Sequence, residues 1–181
     1  MAWLILAFSE VMNLPNLVSL TRLLLSPLML FLEFPQAVAL FILLALTDAL
    51  DGFLARRLKQ ETNLGKVLDP LADKTLLLLA LYVFTYRFQM IEPALLFSLL
   101  FRDLFILLGG GHIYLTKGFV PKARMLGKIT TAYVSLAVPL YALFKLEPFL
   151  YPAYVFIFLS FLDYLLFYMK TLSKVKLSPE P

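Results

Sequence analysis

The chain has 181 residues, 61% of them hydrophobic and 15% charged, with a formal net charge of +4. Its mean hydropathy is +0.86, whereas soluble domains carry roughly 45–50% apolar and about 25% charged residues. A water-soluble globule of this size has too little interior to hide that apolar surface, which excludes a soluble enzyme, a disordered segment and a nucleic-acid-binding module. With no cysteine there is no disulfide, thiolate metal site or cysteine nucleophile. A single histidine, His112, argues against a zinc site or a Ser-His-Asp triad.

In chain order, Met1–Met12 is apolar but has no basic leader and no small-residue cleavage site, and Glu10 and Asn13 interrupt the run. It reads as an interfacial helix rather than a signal peptide. Six stretches follow that match the roughly 20 residues needed to cross a bilayer as a helix: Leu17–Phe34, Pro35–Arg56, Gly65–Tyr86, Pro93–Tyr114, Gly127–Phe144 and Pro148–Met169. Pro35, Pro93 and Pro148 each open a span, where a missing backbone donor costs nothing. Pro27, Pro139 and Pro152 fall inside spans and mark kinks or ends. The runs lack the period-2 alternation of a membrane strand. The predicted fold is therefore an all-α integral membrane protein with six transmembrane helices and an N-terminal interfacial helix, forming one domain over residues 1–181.

Basic residues orient these spans, because cytoplasmic loops collect Lys and Arg. The second connection carries Arg56, Arg57, Lys59 and Lys66; the fourth carries Lys117, Lys122, Arg124 and Lys128; the tail adds Lys170, Lys174 and Lys176. The opposite turns hold only Arg87 and Lys145, beside Glu33, Glu92 and Glu147. Both termini are predicted on the cytoplasmic side of the cell (inner) membrane.

Ionisable residues within membrane spans are functional hypotheses by default, and four carboxylates fall between Asp48 and Asp73. Asp48 and Asp51 are three apart near the end of the second span; Asp69 and Asp73 are four apart near the start of the third. Each spacing places its pair on one helix face, and the short connection Arg57–Leu64 makes the two helices antiparallel neighbours. Four clustered carboxylates repel unless protonated or bridged by cations. All-oxygen ligands point to Mg²⁺, Mn²⁺ or Ca²⁺, and Mg²⁺ is usually shared with phosphate. Gly52 and Ala55 leave room beside the carboxylates for a bulky group, Arg56 is placed to meet phosphate, and Gly65 permits a tight turn or close ligand approach.

Asp48-Ala-Leu-Asp51-Gly52-Phe-Leu-Ala55-Arg56, eight residues, Gly65, three residues, Asp69, three residues, Asp73 resembles the signature of the CDP-alcohol phosphotransferase family at every fixed position. The resemblance implies transfer of a phosphoalcohol group from a CDP-linked donor to an acceptor hydroxyl, with release of CMP. It implies that Asp48, Asp51, Asp69 and Asp73 hold two Mg²⁺ or Mn²⁺ ions, with Asp73 also the general base, and that Gly52, Ala55, Arg56 and Gly65 line the CDP site. It also implies a homodimer.

Within the family, Asn13-Leu-Pro15-Asn16 through Thr21-Arg22, and Asp69-Pro70-Leu-Ala-Asp73-Lys74, are similar to phosphatidylglycerophosphate synthases. Arg102-Asp103, Gly127-Lys128-Ile-Thr130-Thr131 and Leu162-Asp163-Tyr164 are similar to segments of those enzymes and of CDP-lipid-type cardiolipin synthases. The implied donor is CDP-diacylglycerol and the implied acceptor glycerol 3-phosphate, with phosphatidylglycerol or inositol phosphate as alternatives. An anionic acceptor needs cations, and the candidates are Lys128, Arg102, Arg124 and Lys122. His112 reads as an interfacial hydrogen-bonder, Gly109-Gly110-Gly111 as a loosening or a tight packing of that helix, and Asp163 as a possible partner of Arg22. A divalent-cation transporter is the rival from another class, but Ala37–Leu46 and Leu76–Val83 carry only Tyr82 as a polar group. That composition favours a one-sided catalytic cavity.

Overall fold

The computed structural model describes residues 14–58 and 65–173, with side chains for all of these except 14–15, 48–58 and 66–67. The expected interfacial helix Met1–Met12 lies outside the described residues, as do the connection 59–64 and the tail beyond 173. The chain divides into two compact units, Met1–Ile91 and Glu92–Pro181. Among the described residues every regular element is helical.

In the first unit, α1 spans Leu14–Leu25 and runs into a 3-10 turn, Ser26–Leu30. Asn16, Ser19, Arg22 and Ser26 recur at helical spacing and are all buried, while Leu17, Leu20 and Leu24 are exposed. This is the reverse of a water-soluble amphipathic helix, whose apolar stripe faces inward. Pro27 ends the α-helical ladder because it has no N–H to offer the Leu23 carbonyl. The Ser26 hydroxyl donates to that carbonyl instead, at 3.2 Å.

Helix α2, Phe34–Leu58, starts where the Gln36 side-chain carbonyl accepts from Glu33 N–H (3.3 Å). Ala37, Val38, Phe41 and Leu44 form its buried face. Helix α3, Gly65–Tyr82, contains Pro70 and continues into a π-helical turn, Val83–Arg87. Its inward face is Ala72, Leu76, Leu77, Ala80 and Leu81. Helix α1 packs chiefly on α3 and less extensively on α2. The Arg87 guanidinium donates to the carbonyls of Met29 (3.3 Å), Phe31 (3.4 Å) and Leu32, satisfying backbone acceptors that the end of a helix leaves open.

The second unit contains α4 (Pro93–Lys117), α5 (Met125–Phe144), a 3-10 turn (Glu147–Phe149) and α6 (Tyr151–Ser173). Gly118, at φ 73°, terminates α4 by donating to Tyr114 O (2.9 Å); this left-handed position strains any residue with a Cβ. Helix α6 packs on both α4 and α5. Thr130 joins α5 to α6 by donating to Phe156 O at 3.0 Å. Pro152 sits in the first turn of α6, and Pro139 is buried within α5.

Among the described residues three segments are long and apolar enough to cross a membrane: Pro93–Lys117, Met125–Phe144 and Glu147–Ser173. They agree with the last three predicted spans to within a few residues. Among the described residues, the first three predicted spans are helical, with shorter apolar helices in the first two. The α1 region is apolar over Asn16–Leu30 and α2 over Phe34–Thr47. Helix α3 carries Lys66, Asp69, Asp73 and Lys74 in its first ten residues.

Candidate active site and family

Asp69 and Asp73 stand one turn apart on α3, both half-buried, and α1 supplies a partner to each. Ser19 donates to Asp69 Oδ1, and Arg22 donates to Asp73 Oδ1 in an ion pair. Ser19 and Arg22 are three apart on α1 and Asp69 and Asp73 four apart on α3, so the contacts form two rungs between neighbouring helices. The Arg22 side chain is 1% exposed and that of Asp73 37% exposed. The arginine is thus committed to the interior while the carboxylate remains reachable from outside.

Asp48, Asp51, Gly52, Ala55 and Arg56 lie on the helical backbone of α2, and their side-chain arrangement is outside what is described. Gly65 is buried and is the first residue of α3. Among the described residues no three His, Cys, Asp or Glu converge on one point; the described half of the expected quartet is Asp69 and Asp73. Their carboxylates offer hard oxygen donors, and the chain has no thiolate to compete, which fits Mg²⁺ or Mn²⁺.

Ser19 was not among the predicted site residues, and Arg22 was expected beside Asp163. The structure pairs Arg22 with Asp73, and Asp163 with Arg124. The signal that finds both is the polar stripe Asn16, Ser19, Arg22, Ser26 in an otherwise leucine-rich segment. Polar groups on one face of an apolar helix must turn toward protein, and carboxylates are the partners an arginine needs.

The four predicted acceptor cations fall in the second unit. Arg102 is buried, donates to Gly127 O (3.1 Å) and pairs with Asp103 (3.2 Å). Arg124, the N-cap residue of α5, makes a two-pronged pair with Asp163 on α6, with Nη2 at 2.5 Å from Oδ1. That hydrogen-bonded carboxylate holds the guanidinium above its ordinary pKa. Arg124 also lies over the Phe167 ring, 5.2 Å from its centre, a cation–π contact. Lys122 and Arg124 line a cleft of about 840 Å³ with Phe119, Met125, Asp163 and Phe167. Lys128 is exposed on the first turn of α5.

Two further contacts shape this end of α5. The Arg124 backbone N–H donates to the Tyr164 hydroxyl at 3.0 Å. A Cβ on Gly127 would stand 2.9 Å from the same hydroxyl, so only glycine admits Tyr164 this close. His112 hydrogen-bonds the Tyr168 hydroxyl through Nδ1 at 2.7 Å, in keeping with the hydrogen-bonding part of its expected role.

Residues 12–168 match the CDP-alcohol phosphatidyltransferase family. The chain belongs to that family. Among its relatives is a CDP-diacylglycerol–glycerol-3-phosphate 3-phosphatidyltransferase of Aquifex aeolicus, 44% identical over 133 residues, covering 70% of this chain and 74% of the relative. The Bacillus subtilis protein of the same name is 34% identical over 145 residues, covering 70% and 74%. A cardiolipin synthase (CMP-forming) of Rattus norvegicus is 36% identical over 141 residues, covering 75% of this chain but 43% of the rat protein. CDP-alcohol phosphatidyltransferases are generally divalent-metal dependent.

Proposed function

We propose that this phosphatidyltransferase moves the phosphatidyl group of CDP-diacylglycerol onto glycerol 3-phosphate, releasing CMP, in phospholipid biosynthesis. The observation that carries this reading is the 44% identity to the Aquifex aeolicus relative of that name, in a chain that keeps every fixed position of the aspartate signature.

Asp48, Asp51, Asp69 and Asp73 hold the divalent metal in this proposal. Two Mg²⁺ ions (or Mn²⁺), when bound, would supply positive charge to the diphosphate and to the departing CMP. Gly52, Ala55, Arg56 and Gly65 shape the CDP-binding wall. Asp73 takes the proton from the attacking hydroxyl at its carboxylate, and its 37% exposure leaves it accessible for that task. Ser19 and Arg22 fix the facing carboxylates from behind. Lys122, Lys128, Arg102 and Arg124 are the cations for the acceptor's phosphate. In the same proposal the chain is a single membrane-embedded domain of six spans after an interfacial N-terminal helix, and works as a homodimer. Its termini and site face the cytoplasm, where glycerol 3-phosphate is met and CMP is released.

Purified protein in liposomes with CDP-diacylglycerol and Mg²⁺, given one acceptor at a time, provides the test by CMP release. Glycerol 3-phosphate is expected to support turnover, and Asp73→Asn to lower it by about 10²–10⁴-fold. Turnover only with phosphatidylglycerol, the acceptor of a cardiolipin synthase, would move the chain to the group of its rat relative. Turnover unaffected by Asp73→Asn would remove the general-base role.

A further inference from the structure

The contacts around the start of α5 link three helices through one short connection. Residues 118–124 leave α4 at Gly118 and enter α5 at Arg124. This connection carries Lys122, and the following turn carries Lys128. Helix α6 holds the junction in two ways: Asp163 grips the Arg124 side chain, and Tyr164 accepts from the Arg124 backbone N–H (3.0 Å). Helix α4 holds it from the buried side, where Arg102 donates to Gly127 O (3.1 Å). Gly127 gives Tyr164 the space to approach.

The Tyr164 contact is chemically informative. A backbone N–H at the N-cap of a helix is normally answered by a nearby side chain of the same segment or by water. Here the acceptor comes from 40 residues further along the chain, on a different helix. One residue, Arg124, is thus fixed at both backbone and side chain by consecutive residues of α6, so the connection has little freedom to rotate about its entry into α5. The cations on either side of Arg124 inherit that fixed position.

We propose that Asp163 and Tyr164 are positioning residues for acceptor binding. They lock the 118–124 connection onto α6 and thereby set where Lys122 and Lys128 stand toward the anionic group of the acceptor. The proposal rests on the reading above, that glycerol 3-phosphate is bound by these cations. Neither residue touches the acceptor in this account, so their loss weakens acceptor capture and leaves the chemical step and donor binding intact.

Two measurements test this on the full-length protein. In the CMP-release assay, Tyr164→Phe and Asp163→Asn are expected to raise the KM for glycerol 3-phosphate about fivefold or more. The KM for CDP-diacylglycerol and kcat should stay within about twofold, the signature of lost ground-state binding. Asp163→Glu, which keeps the charge, should recover most of the acceptor KM. Equal loss in both KM values and kcat, or an unchanged acceptor KM, would overturn the proposal. The second measurement needs no activity. The chain has no cysteine, so a nitroxide on Ala123→Cys reports the connection alone. Its spectrum should show restricted motion in the parent and a mobile component in the Tyr164→Phe and Asp163→Asn backgrounds; identical spectra would remove the lock. If the parent protein gives no CMP with glycerol 3-phosphate, the functional reading fails, and the spectra still decide whether the lock exists.

Discussion

The two units use their helices for opposite purposes. In Glu92–Pro181 the helices are long and mostly apolar, and the buried polar side chains are few: Arg102, Thr130 and Ser160. Among the described residues of Met1–Ile91, buried polar side chains concentrate at α1, with Asn16, Ser19 and Arg22 on it and Ser26 directly after it, beside Thr85 in the π-helical turn. Helix α1 gives up α-helical geometry at Ser26, and α3 opens with four charges and a proline. A polar group withdrawn from water needs a partner inside the protein, and the half-buried Asp69 and Asp73 of α3 take theirs from Ser19 and Arg22 of α1. The anchoring unit can satisfy its membrane by composition alone. The unit holding the aspartates can do so only by matching residues between helices, and single substitutions should therefore harm it more.

The strongest test of that contrast is Arg22→Met. Its guanidinium is buried against Asp73, whose carboxylate is 37% exposed; solvent screens the charge left behind, so the cost falls below the roughly 3–5 kcal/mol of a fully buried pair. Thermal unfolding in detergent should show a large drop for Arg22→Met. Arg22→Lys, which keeps the charge and loses the planar fork, should fall between it and the parent. A Met variant as stable as the parent would mean that the α1–α3 pairing is not what holds this unit together.

How far the sequence alone reaches follows the same division. The helices of the second unit are legible because an apolar run of span length has few alternatives, and two of their starts are marked by Pro93 and Pro148. The Asp69–Asp73 pair is legible because helical spacing in an apolar setting places both on a common face. What spacing cannot supply is the partner across a helix–helix contact. Arg22 is 51 residues from Asp73 and Arg124 is 39 from Asp163, and several assignments satisfy charge equally well. Arg22 with Asp163 was one of them, and packing chose another. The same holds for Tyr164: an aromatic residue in an apolar helix reads as bulk or interfacial anchor until Gly127 is seen to make room for its hydroxyl.

Glycine substitutions sharpen the contrast within the anchoring unit itself. Gly127→Ala places a Cβ 2.9 Å from the Tyr164 hydroxyl and 3.0 Å from its ring. Overpacking of this kind costs about 1–3 kcal/mol, and the neighbours that must give way are the contacts holding Arg124. Gly110, also helical but with nothing within 4 Å of an added Cβ, should behave oppositely. Alanine there removes backbone freedom from the unfolded chain and improves helix propensity, a gain of about 0.5–1 kcal/mol. Unfolding temperatures of the two variants should therefore shift in opposite directions, with the larger shift at Gly127. A rise at both positions would show that α6 can move away from α5 at little cost, and the close approach at Gly127 would then lose its meaning as a constraint.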